Sequence, residues 1–126
     1  MTEIKFREAL TNQWDEFIGF HYWGFIDGIF IIPKYSGNSG YSYQYTGLKD
    51  INGKKICEGD ILKCEVEFNL YKSFFIGEVL FEKSGFSCRG KVEKNTDGYL
   101  RMYHLHELFN IEVIGNIHEN PELLDR

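Results

Sequence analysis

The sequence contains no apolar run near the roughly 20 residues that a membrane-crossing helix needs. Its opening, MTEIKFREAL, has neither an apolar h-region nor a small-residue cleavage site, so no secretory leader and no membrane association are expected. Cysteine is scarce and odd in number: Cys57, Cys64 and Cys88, without framework spacing. That excludes a disulfide scaffold and points to a reducing compartment, the cytoplasm. Clustered positive charge is lacking too. The formal charge is −5, and both halves of the chain are mildly acidic. A nucleic-acid backbone calls for grouped Lys and Arg, so nucleic acid is not the expected partner. Proline is nearly absent, with 2 in the chain.

Aromatic residues and glycine are plentiful. Aromatics make up 17% of the chain, and its 13 glycines are spread evenly. This is the composition of a β-rich domain with many turns. A length of 126 residues allows one core and is short for two full domains.

In EIKFREAL, Ile4 and Phe6 alternate with Lys5 and Arg7, which predicts a first strand, followed by a turn at TNQW. The run DEFIGFHYWGFIDGIFIIP is almost wholly apolar. Gly19 and Gly24 weaken a helix there, and Asp27-Gly28 signals a hairpin between a long strand and a short one ending at Pro33. KYSGNSG, residues 34–40, reads as a loop and a seam, and YSYQYT as a strand. Further on, Leu62, Cys64, Val66 and Phe68 share one face against Lys63, Glu65 and Glu67. Phe75, Val79 and Phe81 form another such face, as do Phe86, Cys88 and Val92, and Ile111, Val113 and Ile117. Turns are expected at KSG and KNTDG. Half-buried strands at this spacing predict a small antiparallel barrel or sandwich. HLHELF reads as a single helical turn, and Asn120-Pro121-Glu122 as the start of a last short helix.

The stretch QYTGLKDINGKKICEGDIL, Gln44 to Leu62, invites a chemical reading. It is not a phosphate loop. Five residues separate Gly47 and Gly53, Lys54 precedes another Lys rather than a hydroxyl residue, and no long helix follows. Asp50, Glu58 and Asp60 are candidate acid/base or metal carboxylates. Turn chemistry accounts for the same residues. Asp50 and Asn52 can bond their own backbone, Asn52-Gly53 supplies positive φ, and Asp60 can cap amides. The turn reading is preferred because it explains every residue type present.

Other residues carry sharper readings against plain ones. His104 and His106, with His118 or Cys88, are a candidate metal group, but no two-plus-two ligand spacing supports it. A Cys nucleophile with a His base has no local motif, and Cys64 and Cys88 on apolar faces read as small hydrophobes. Neither cofactor nor metal is expected. Phe17, Phe20, Tyr22, Trp23 and Phe25 suggest a stacking platform for single-stranded nucleic acid. With Asp15, Glu16 and Asp27 nearby, they read instead as core plus a partner interface, Tyr22, Trp23 and Phe25 being the interface candidates. The acids Glu107, Glu112, Glu119, Glu122 and Asp125 raise DNA mimicry as a minor reading, but they read more simply as a solvated face.

QYTGLKDINGKKICEGDIL together with IEVIGNIHENPELL resembles the YopX family of phage and prophage proteins. EIKFRE and WGFIDGIFIIP resemble that family's opening, and residues 69–109 match loosely. Cys57 stands where an aromatic is expected and His118 where Tyr is expected. The resemblance implies a mainly β protein made in bacterial cytoplasm, one unit over 1–126. An N-terminal aromatic β-hairpin part (1–40) would pack on a small SH3-like antiparallel barrel (41–126), with one or two helical turns near the C-terminus. It brings no known enzyme activity with it, so no catalytic residue is carried over. It does mark Gly47, Leu48, Asp50, Asn52, Gly53, Glu58, Gly59 and Asp60 as motif positions that define the fold or line a contact surface. The expected role is a non-enzymatic accessory protein working through contacts with itself, as a homo-oligomer, or with a host or phage protein. Nucleic-acid binding by a small barrel is the alternative.

Overall fold

The computed structural model describes residues 4–33, 42–82, 85–93 and 99–124. The expected loop and seam at 34–40 and the turn at 94–98 lie outside them, as do all but Gly85 of KSG and the last acid, Asp125. The protein is mainly β. Its strands are β1 (Ile4–Thr11), β2 (Phe17–Ile26), β3 (Ile29–Ile31), β4 (Ser42–Lys49), β5 (Lys55–Cys57), β6 (Asp60–Phe68), β7 (Tyr71–Glu82), β8 (Gly85–Val92), β9 (Arg101–His104) and β10 (Phe109–Asn116). Short 3-10 turns cover Leu105–Glu107 and Pro121–Leu124, the two places where helical turns are expected. The strands form two antiparallel sheets, ordered β3-β2-β1-β4-β5 and β10-β6-β7-β8-β9. Backbone contacts divide the chain into units 1–47 and 48–126, a division that falls inside β4.

In the first unit β1 lies antiparallel to β2, with Lys5 opposite Gly24, Arg7 opposite Tyr22 and Ala9 opposite Phe20. The TNQW turn is held by Asn12, whose Oδ1 accepts the N–H of Trp14 at 2.9 Å and of Glu16 at 3.0 Å. The hairpin forms where Asp27-Gly28 predicts it. Both residues have positive φ, 52° and 79°, the mirror-image turn that matches strand twist. Trp23 stacks on Phe6 at 4.4 Å and donates its indole N–H to Ser42 Oγ at 2.9 Å.

The second unit has most of the core that alternation predicts, although Phe81, expected on the β7 core face, is 55% exposed near the end of its strand. Leu62, Cys64 and Val66 of β6, Phe75 and Val79 of β7, and Cys88 and Val92 of β8 are buried together, with Phe68 and Phe86 packed against them. Lys63 and Glu67 point to solvent. At the centre Gly77 and Gly90 sit opposite one another. Side chains have no room there: a Cβ on Gly77 would lie 2.6 Å from Arg89 O, and one on Gly90 would overlap the carbonyl O of Ile76.

The expected barrel is not closed among the described residues, since no ladder joins β9 to β10. The cause lies in the link between them. The 3-10 turn consumes the chain where pairing would begin, and Leu105 and Leu108 enter the core there as side chains instead.

Candidate functional site

The stretch from Gln44 to Leu62 runs through the end of β4, a turn over 50–54, β5 and the start of β6, and the turn is fastened to β10. Asp50 N–H donates to Lys54 O at 2.8 Å, and Gly53, at φ 80°, donates to Asp50 O at 3.0 Å. The Asp50 carboxylate takes three backbone donors. Oδ1 accepts from Asn52 at 2.9 Å and Lys54 at 2.8 Å, and Oδ2 accepts from Val113 of β10 at 2.9 Å. Alongside, Ile51 N–H donates to Ile111 O at 2.9 Å. β10 pairs with β6 along one edge, and the Asp50 turn covers N–H and C=O groups of the other. Burial is the largest single influence on the Asp50 pKa and raises it. The bonds from Val113, Lys54 and Asn52, with the Lys54 charge, outweigh burial, and the pKa ends below its ordinary 3.8.

A second fastening follows. Gly59, at φ 88°, donates to Val79 O at 2.9 Å and accepts from Ile117 N–H at 3.0 Å. Asp60 is buried, and its Oδ2 caps the Cys57 N–H at 2.8 Å. Glu58 is buried as well. Of the eight motif positions, Asp50, Gly53, Gly59 and Asp60 are spent on backbone geometry. Gly47 has the positive φ of 89° that glycine tolerates. Gly47, Leu48, Asn52 and Gly53 remain exposed.

Leu48 joins Phe86, His104, Leu105 and His106 around a shallow depression of about 380 Å³. The two imidazoles stack there, 5.5 Å apart and 7° from parallel. His104 ends β9 and His106 lies in the 3-10 turn, so the pair straddles two elements rather than sharing a strand face. Among the described residues no three His, Cys, Asp or Glu side chains gather as a metal would require. Burial pushes the Cys64 thiol up to about 12 and that of Cys88 well above its ordinary value, the state of packed thiols rather than nucleophiles.

The interface candidates of β2 do not lie together. Trp23 and Phe25 share one face of the first sheet, with Phe25 5.3 Å from Phe30. Tyr22 lies on the opposite face with Phe20, because neighbouring strand residues alternate. Sequence reasoning missed what stands beside that second pair. Lys5 Nζ sits 4.6 Å above the Tyr22 ring, and the Arg7 guanidinium 4.2 Å above Phe20. The signal was the alternation of Lys5 and Arg7 on β1, which becomes informative only once β1 is paired with β2.

Among the described residues no helix is long and apolar enough to cross a membrane. No curated protein matches the chain. A family model described as YopX protein matches residues 12–125. The match contains both signature stretches that the Asp50 turn and Gly59 bind together, while EIKFRE precedes it. By that match, which spans most of its length, the chain belongs to the YopX family.

Proposed function

We propose that the protein is a non-enzymatic accessory protein of a phage or prophage, working in the bacterial cytoplasm through protein–protein contacts, with a second copy of itself as first partner. One observation carries this reading. Phe25 and Phe30 pack together yet remain 51% and 54% exposed, and Ile32 beyond them is 69% exposed. Large apolar side chains grouped at a surface mark contact sites. The contact uses the face and not the β3 edge. That edge is three residues long, the Ile32 carbonyl is bonded by His21 Nε2 at 2.9 Å, and Pro33 has no N–H to offer.

The non-enzymatic part rests on how the reactive groups are used. Asp50 has three of its roughly four acceptor positions filled by backbone, and the Cys64 and Cys88 thiols are buried. The finer fold reading belongs to the same proposal. β6 to β9 follow in meander order and β10 returns to β6 across a 3-10 turn, as a small SH3-like barrel left open at one seam would.

Light scattering over a range of concentrations tests the self-contact. The expected mass exceeds one chain and rises with concentration, and Phe25→Asp with Phe30→Asp reduces it to one chain. A single-chain mass at every concentration would refute self-association. Affinity capture from the bacterial host with nuclease present then asks whether a host or phage protein is held in stoichiometric amount.

A further inference from the structure

The other face of the first sheet has a different chemistry. Arg7 lies between Tyr22 on β2 and Tyr43 on β4 in one cross-strand row. Lys5, two residues along, lies over Tyr22, and Arg7 over Phe20. The registers put Glu8 on the opposite face, so the described residues of β1 to β4 place Lys5, Arg7, Phe20, Tyr22 and Tyr43 here, beside Ile29 and Ile31, and no carboxylate. Of the two cations Lys5 is the accessible one, since Arg7 is buried with its charge fixed in place. Tyr22 is 41% exposed.

We propose that this face binds single-stranded nucleic acid, with Lys5 meeting a phosphate and Tyr22 and Tyr43 stacking bases. Positive charge alone would suit any polyanion. Aromatic rings set among the cations, on a sheet, suit a ligand that alternates phosphates with flat bases. The proposal is independent of self-association, because Phe25 and Phe30 lie on the reverse face.

Fluorescence anisotropy with a labelled oligothymidylate of about 20 nucleotides tests it. The wild type binds at low salt and loses affinity as salt rises. Lys5→Glu and Tyr22→Ala each weaken binding by about tenfold, and Tyr22→Phe retains it. Lys63→Glu, on the second sheet, leaves affinity within about twofold. Circular dichroism matching the wild type qualifies each variant. Three results would overturn the proposal: no binding at low salt, folded Lys5→Glu and Tyr22→Ala proteins that bind like the wild type, or binding of polyaspartate without binding of oligothymidylate.

Discussion

Asp50 collects N–H groups from its own turn and from Val113, 63 residues away. Asp50→Ala strands these donors and is expected to cost on the order of 3 kcal/mol in urea unfolding. The pH dependence follows from its lowered pKa. The unfolded carboxylate takes a proton as pH falls past 3.8, and the folded one only below that. Its stabilisation is complete above the unfolded value and is lost as pH falls through the folded one. Asp50→Asn is therefore expected to lose less stability than the wild type between neutral and acid pH, measured by denaturation at each pH. Cys64 runs the other way. Its thiol stays protonated in the fold up to about 12, so its contribution declines as pH rises above the ordinary value of 9.0. A thiol reagent at mildly alkaline pH should leave Cys64 and Cys88 unmodified until denaturant is added, and rapid labelling of the native protein would contradict their burial. The Asx-type role of Asp50 was legible from Asp-x-Asn-Gly. Its bond to Val113 was not, because nothing in a local pattern states which distant amide will arrive.

At the scale of elements, β7 and β8 pair with Gly77 opposite Gly90, where neither strand has room for a Cβ. Gly90→Ala is expected to lower stability by at least about 2 kcal/mol, seen in thermal unfolding, because the methyl group meets backbone and not a movable side chain. Alternation made β6, β7 and β8 readable with their faces, since each has one side in a core and one in solvent. Asp27-Gly28 made the β2–β3 hairpin readable by its φ demand alone. The open seam between β9 and β10 was not readable. HLHELF announces a turn, but not that Leu105 and Leu108 would fill the core in place of a ladder. Ser87 shows the limit of alternation: it shares its side of β8 with Arg89, yet is buried, paired with Leu80 and His104.

At the scale of the molecule, two stretches that lie within the family match are joined. Asp50 and Ile51 bind β10, and Gly59 binds Ile117 just beyond it. The motif residues thereby hold the two stretches together through bonds to backbone groups. This turns attention for contacts to the first sheet, whose reverse faces carry Phe25 with Phe30 and Tyr22 with Lys5. Amide hydrogen exchange on the wild type and Asp50→Asn, read at Asn52, Lys54 and Val113, tests the joining most directly. All three amides are expected to be protected in the wild type, and the Val113 amide is expected to exchange at least about tenfold faster in the variant, whose single acceptor oxygen can keep Asn52 and Lys54 but whose NH2 cannot accept from Val113. Equal Val113 rates in the two proteins would contradict the joining.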